Sequence, residues 1–146
     1  MLSSAIAAGS EKQFCNTTIC AAGTQAVTYT SKHETFYGCP NRELAEYTNT
    51  VLGMVAASSM LSGQLPNISD KTGEPEYEGE SKMMLDTLRA KAGVTSFDQA
   101  ASRCFKGRNK VNVIILNRPA NSGLLYVMDE KNKKTFWLPN AMVYKR

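Results

Sequence analysis

The final third of the chain, residues 111–143, reads VNVIILNRPANSGLLYVMDEKNKKTFWLPNAMV. Short runs rich in β-branched and aromatic residues alternate there with polar, turn-forming segments, a pattern typical of antiparallel strands. The three predicted strands are residues 111–116, 124–128 and 135–138. The first of them is almost continuously apolar, which predicts a strand covered on both faces. A single helical turn is expected at residues 138–143, and Trp137 is expected to anchor the core.

The middle of the chain is predicted to be helical, after a first strand at residues 25–30. Between positions 41 and 61 apolar residues recur at steps of three and four, which predicts one long helix with a single buried stripe. This stripe runs from Leu44 to its last member, Leu61. Gly63 follows as a plausible C-terminal cap. The stretch at residues 64–79 is rich in Gly, Pro and Glu and is predicted to be a long loop.

Two shorter helices are expected after this loop, at residues 80–92 and 96–105. In the first of them Met84 and Leu88 are predicted to point inward. The second opens with the capping-box pattern SFDQ at residues 96–99. Its predicted buried side consists of Phe97, Ala101, Cys104 and Phe105.

The length of 146 residues and a hydrophobic content of 42% are typical of one globular domain. We place this domain at residues 25–146 and interpret residues 1–24 as a mostly irregular N-terminal segment. Residues 2–9, LSSAIAAG, contain an Ala-x-Ala pattern like that of a signal-peptidase site. This segment is therefore either the remnant of an export signal or an ordinary frayed N-terminus.

Four cysteines, Cys15, Cys20, Cys39 and Cys104, give an even count with no Cys-x-x-Cys motif. Two disulfides are therefore favoured over buried free thiols or a metal site, for which the single histidine leaves an unusual ligand set. The residues alone allow three pairings. Disulfides together with an export signal indicate the periplasm or the cell exterior.

The segments KVNVIIL (residues 110–116), LLYVM (124–128) and FWLPNAMV (136–143) resemble the closing strands of SH3-like barrels. The wider layout is similar to small exported bacterial proteins in which a Cys-Pro pair, here Cys39-Pro40, opens a helix and a second cysteine, here Cys104, precedes the barrel strands. This resemblance implies an α+β fold: a small SH3-like antiparallel β-barrel or sheet with an insertion of two to three helices, stapled by disulfides. It also implies a bridge between Cys39 and Cys104, with Cys15 and Cys20 paired locally, and a binding or structural module.

Charged residues cluster in two places that could bind a partner. The loop at residues 64–79 and the start of the next helix are acidic, and residues 129–134 form a basic hairpin tip. The binding candidates are Glu74, Glu76, Glu78, Glu80, Lys131, Lys133 and Lys134. Charge runs of this kind also occur on ordinary solvated faces.

The sequence contains no phosphate-binding loop, nucleophile elbow, zinc-protease motif or EF-hand. We therefore predict no catalytic residue, metal site or cofactor. The single histidine, His33, adjoins Glu34, and such a pair could serve general acid–base chemistry in a small secreted hydrolase or toxin. Adjacent residues on a strand point to opposite faces, which argues against direct cooperation between them.

These observations favour a non-enzymatic, exported protein-interaction domain, an accessory factor of an envelope or secretion assembly or an immunity-type inhibitor. Its partner would be another protein, whose identity the sequence does not specify. The alternatives are the hydrolase described above and a basic nucleic-acid-binding barrel, which export disfavours. The nucleic-acid surface of that barrel would consist of Lys106, Arg108, Lys110, Lys131, Lys133 and Lys134 with Tyr126 and Phe136.

No apolar stretch is long enough to predict a membrane-spanning helix.

Overall fold

A computed structural model describes residues 11–146, in which two strands, three consecutive α-helices and five further strands follow one another in an α+β arrangement. The strands are β1 (Gln25–Thr28), β2 (Tyr37–Gly38), β3 (Phe105–Lys106), β4 (Asn112–Asn117), β5 (Leu124–Asp129), β6 (Thr135–Pro139) and β7 (Val143–Lys145). The helices are α1 (Arg42–Ser62), α2 (Gly79–Lys91) and α3 (Phe97–Ser102), and a 3₁₀ turn covers Asn140–Met142. The predicted helices, strands and closing helical turn are therefore all present, with shifted ends.

Five strands form one antiparallel sheet in the order β6-β5-β4-β1-β7, and β2 and β3 form a separate two-stranded ribbon. β6 and β7 are the two edges of this sheet, and they are not paired with each other within residues 11–146. The sheet is therefore open. The prediction of an antiparallel sheet is confirmed, whereas closure into a barrel is not.

The core under this sheet consists of alternate, inward-facing residues of its central strands. Val113 and Ile115 of β4 are fully buried, together with Val127 of β5, which lies opposite Phe136 of β6. The outward residue Leu116 is exposed. The prediction that this strand is covered on both faces is thus wrong. The helices pack on part of the outer face only and leave the end of β4 open to solvent.

Helix α1 begins and ends where its caps predict. The side chain of Asn41 accepts a hydrogen bond from the backbone N–H of Leu44, and Gly63 ends the helix with a φ of 73°. Buried residues occupy only its first half, as far as Val51. Leu61, the predicted last member of the buried stripe, is 89% exposed, because the helix extends beyond the elements that cover its first turns.

The two shorter helices also differ from prediction in which residues they bury. In α2 the buried residues are Leu85 and Leu88, while Met84 is exposed. Helix α3 is capped by Ser96 as predicted but ends at Ser102, because the chain turns there into β3. Phe105 consequently lies on a strand with its ring partly exposed, instead of on the buried side of the helix.

Two disulfides join the four cysteines, Cys15 to Cys20 and Cys39 to Cys104. Both pairings agree with those that the resemblance implied. The second bridge ties the end of β2 to the residue before β3. Cys39 also exchanges two backbone hydrogen bonds with Trp137 of β6, at 3.0 and 2.8 Å, so the ribbon is fixed to the sheet edge.

The N-terminal segment is described from residue 11 onward, and the predicted signal remnant at residues 2–9 lies outside the described residues. Between residues 11 and 24 the chain is irregular but attached to the last strand. The backbone N–H of Cys15 donates to the carbonyl of Val143, and that of Lys145 donates to Gln13. Within residues 11–146 no helix combines the length and the hydropathy needed to cross a membrane.

The ribbon is built from two Phe-x-Gly segments, residues 36–38 and 105–107. Gly38 pairs with Phe105, and Gly107 donates its backbone N–H to the carbonyl of Phe36. Each ring thereby covers the glycine of the opposite strand. A Cβ atom at either glycine would lie 2.3 Å from that ring, so no larger residue fits while the rings stay in place.

We expect Gly107→Ala to lower the free energy of unfolding by about 2–3 kcal/mol, the upper part of the range for overpacked cores. Phe36, which it would displace, is almost fully buried and belongs to the core beneath the sheet. Gly38→Ala is the matched control, because Phe105 can rotate into solvent and the cost should stay near 1 kcal/mol. Urea denaturation of both variants measures the difference. Equal losses would contradict this account of the ribbon.

Candidate binding pocket

A cavity of about 350 Å³ lies between the ribbon and one end of the main sheet. We call it the aromatic pocket. It combines an apolar floor with a charged mouth. Its lining residues are Thr28, Phe36, Phe105, Lys106, Arg108, Val111, Asp129, Asn132, Lys134 and Phe136.

Three phenylalanines form the floor and one wall of the aromatic pocket. Phe36 and Phe136 are 1% and 5% exposed and belong to the core beneath the sheet, whereas Phe105 is 46% exposed. The rings of Phe105 and Phe136 meet edge to face, with centroids 4.9 Å apart at 81°. Because two rings are held in the core and the third lies over Gly38, the apolar surface is already formed without a ligand.

Thr28 fixes the segment that carries Arg108. Its hydroxyl, which is buried, donates to the carbonyl of Arg108 at 2.6 Å and accepts the backbone N–H of Val111 at 2.9 Å. The backbone of Thr28 exchanges further hydrogen bonds with Val111 and Lys110. One side chain at the end of β1 therefore holds this connection against the sheet.

Asp129 has the corresponding role for the hairpin that carries Lys134. Its carboxylate accepts the backbone N–H groups of Lys131 and Asn132, at 2.8 and 3.3 Å, and so closes the turn. Its backbone bonds with Lys133 and Lys134 complete the hairpin. The only carboxylate that lines the aromatic pocket is thus engaged in shaping the hairpin tip.

The mouth of the aromatic pocket is positively charged. Lys106, Arg108 and Lys134 are exposed there, and none of them forms an ion pair with an acidic side chain within residues 11–146. Three cations and the single carboxylate of Asp129 leave a formal charge of 3 − 1 = +2 on the lining. Such a site attracts an anionic group more strongly than the modest net charge of the whole chain would.

The structure brings together only part of the predicted binding surface. Of the hairpin lysines, Lys134 lines the aromatic pocket, while Lys131 and Lys133 lie exposed at the tip. Of the residues proposed for nucleic acid, Lys106, Arg108 and Phe136 also line it. Tyr126 does not line it. Because Tyr126 precedes the inward-facing Val127 on β5, its side chain lies on the opposite face of the sheet, where its ring centroid is 5.0 Å from that of Trp137.

The predicted acidic candidates do not line the aromatic pocket. Glu76, Glu78 and Glu80 are exposed in and after the loop, but Glu74 is buried. Its carboxylate accepts a hydrogen bond from Tyr47 and two from Arg89, the latter at 2.7 and 2.6 Å. Glu74 therefore holds the loop against α1 and α2 and is not presented to a partner.

The contacts around Glu74 shift the pKa values of the neighbouring side chains. Burial, followed by the bond to Glu74, raises the pKa of the Tyr47 phenol. The hydrogen bonds with Glu74 likewise raise the pKa of Arg89 above its ordinary value. Arg89 and then Lys82 lower the pKa of Asp86, which bonds to Arg89 at 2.7 Å. Glu74, which is buried, and Arg89, which is partly buried, thus form an ion pair with a structural role.

The predicted catalytic alternative finds no support in geometry. His33 is exposed in a bend, and its backbone N–H is its only hydrogen-bonding group with a partner in the described part of the chain. Residues 11–146 contain no group of three His, Cys, Asp or Glu side chains arranged to hold a metal ion.

Phe36 and Phe105 are not among the site residues predicted from the sequence. The repeated Phe-x-Gly pattern was the available signal, since two such segments paired antiparallel place each ring over a glycine.

Comparisons with protein-family models, with curated proteins and with solved structures find no match for this chain.

Proposed function

We propose that this chain is a non-catalytic, exported protein-interaction domain and that the aromatic pocket is its recognition site. The observation that carries the proposal is the preformed apolar floor beneath three cations that have no acidic partner within residues 11–146. Concave sites with an apolar floor and a few polar groups at the mouth are the usual form of binding sites. The partner would be another protein, as for an accessory factor of an envelope assembly or an immunity-type inhibitor.

The scaffold supports a binding role because it holds the aromatic pocket in one shape. The Cys39–Cys104 disulfide fixes the ribbon, while Thr28 and Asp129 fix the two segments that carry the cations. A site that is rigid before binding loses less conformational entropy when a partner binds. This arrangement therefore favours recognition by preformed complementarity.

The disulfides also support the proposed location. All four cysteines are paired, and structural disulfides persist in the periplasm and outside the cell but are rare in the cytosol. We retain the relationship to SH3-like exported proteins as part of the proposal. Its support is the 3₁₀ turn between the last two strands and the Cys-Pro opening of the first helix.

Photo-crosslinking in the cells that make the protein tests this function. A photoreactive amino acid at position 134, in the mouth of the aromatic pocket, should give a covalent adduct with one protein in the exported fraction. The same residue at position 71, which is exposed in the loop before α2 and does not line the aromatic pocket, is the control. The adduct should be lost when Phe105→Ala is added.

Three results would overturn the proposal. One is the absence of any protein adduct from position 134, and another is equal adducts from positions 134 and 71. The third is recovery of the adduct only in the cytosolic fraction, which would contradict export. Because position 134 is an exposed hairpin residue, the substitution itself should leave the fold intact.

A further inference from the structure

We infer that the aromatic pocket binds an acidic segment of its partner that inserts one aromatic side chain. This inference rests on the proposed function and names the chemistry of the segment that would be recognised. Three features support it: the size of the cavity, the nature of its floor and the charge at its mouth. Each of them limits the occupant independently.

The size and floor of the aromatic pocket fit a single large side chain. Its volume of about 350 Å³ is near the lower end of the range for ligand pockets. The floor is dominated by phenylalanine rings, two of which already meet edge to face. A further ring can add the same edge-to-face contact, which an aliphatic side chain of similar area cannot make. Aromatic side chains in such pockets commonly supply most of the binding energy of an interface.

The charge at the mouth requires carboxylates next to this ring. Lys106 lies on the ribbon, Arg108 on the adjoining connection and Lys134 on the hairpin, so the cations of the lining come from three separate segments. A segment with acidic residues on both sides of its aromatic residue could therefore pair with more than one of them. Arg108 could also bind a carboxylate through two parallel hydrogen bonds, a geometry that lysine lacks.

A polypeptide fits this geometry better than single-stranded nucleic acid. Successive bases stack on aromatic rings whose faces are open, arranged along a groove. Phe36 and Phe136 are buried in the floor, so among the described phenylalanines of the aromatic pocket only Phe105 has a substantially exposed ring, at 46%. Tyr126, the other aromatic residue of the predicted nucleic-acid surface, packs against Trp137 and does not line the pocket.

Titration of the ¹⁵N-labelled chain with synthetic peptides, followed by NMR, tests the inference. The probe is the blocked peptide acetyl-Asp-Glu-Phe-Asp-Glu-amide, and the comparison peptide carries alanine in place of phenylalanine. We expect the probe to shift amide resonances of residues 105–108 and 134–136, and the alanine peptide to bind at least tenfold more weakly. Binding of the probe should weaken as the salt concentration rises.

Variants of the mouth provide a second measurement. Lys106→Glu combined with Lys134→Glu should weaken binding of the probe at least tenfold, whereas Lys71→Glu, the matched control in the loop before α2, should change it less than twofold. These are exposed residues, so the double variant is expected to fold, which its amide spectrum will show directly. A single-stranded oligonucleotide of eight thymidines is the competing probe.

The inference fails if the alanine peptide binds as well as the probe, if the shifted resonances lie away from the aromatic pocket, or if the oligonucleotide binds there more tightly. If position 134 still captures a protein in cells while the probe does not bind, the proposed function stands and the acidic–aromatic chemistry is wrong. Failure of the crosslinking experiment itself would remove the proposed function.

Discussion

Arg89→Ala is expected to lower the free energy of unfolding by about 3–5 kcal/mol, the usual cost of removing one partner from a buried ion pair. The guanidinium of Arg89 donates to both carboxylate oxygens of Glu74, which is 5% exposed. Without it, Glu74 keeps one hydrogen bond, from Tyr47, and no opposite charge. Urea denaturation at neutral pH measures the loss.

Two controls separate the unpaired charge from lost packing. Lys82→Ala removes a cation from the same helix, but its pair with Asp86 is exposed to solvent and should contribute little to the free energy of unfolding. Adding Glu74→Gln to Arg89→Ala should recover about 2 kcal/mol, because a neutral amide does not require a counter-ion. If the glutamine substitution increases the loss instead, the stem of Arg89 rather than its charge stabilises the loop.

Removing the Cys39–Cys104 disulfide, as Cys39→Ala with Cys104→Ala, is expected to cost about 4 kcal/mol. The bridge joins residues 65 apart in sequence, and a loop of that length has a large closure entropy in the unfolded chain. The Cys15–Cys20 bridge spans only 5 residues, so the smaller closure entropy of its loop gives an expected cost of about 2 kcal/mol for its removal. Denaturation of the two double variants under oxidising conditions compares them.

The comparison emphasises loop length, since each double variant loses two sulfur atoms and three of these four cysteines are buried, with Cys104 partly buried. Equal costs, or a greater cost at the short loop, would show that packing dominates over chain entropy. The ribbon carries Phe36, Phe105 and Lys106, so loss of the long-range bridge should also weaken binding of the acidic–aromatic probe. Loss of the short bridge should not.

The sequence was sufficient to predict those elements whose signals are local. β4, β5 and β6 follow from alternation and turn residues, and α1 follows from its stripe and from the caps at Asn41 and Gly63. The predictions that failed concern residues whose burial depends on how far the neighbouring elements extend. Leu61 was predicted to be buried because the pattern continues to it, but α1 is longer than the surface against which it packs.

The aromatic pocket was less predictable because it is assembled from distant segments. Phe36 and Phe105 are 69 positions apart, and only the pairing of β2 with β3 brings them together. The burial of Glu74 likewise depends on distant residues, but here they bury a side chain that is predicted to be exposed. Its neighbours in sequence indicate an exposed acidic loop, whereas its burial depends on Tyr47 and Arg89, which come from two different helices.

The two Phe-x-Gly segments have a consequence for how this chain can diverge. Because each ring occupies the space that a Cβ atom on the opposite strand would need, a larger residue at 107 is expected to require a smaller one at 36, whereas at 38 rotation of the exposed Phe105 lowers the cost without removing it. These positions are therefore expected to covary in evolution. Two such tripeptides on either side of a helical insertion, the first followed directly by Cys-Pro, make a compact signature for recognising distant homologues whose overall identity has been lost.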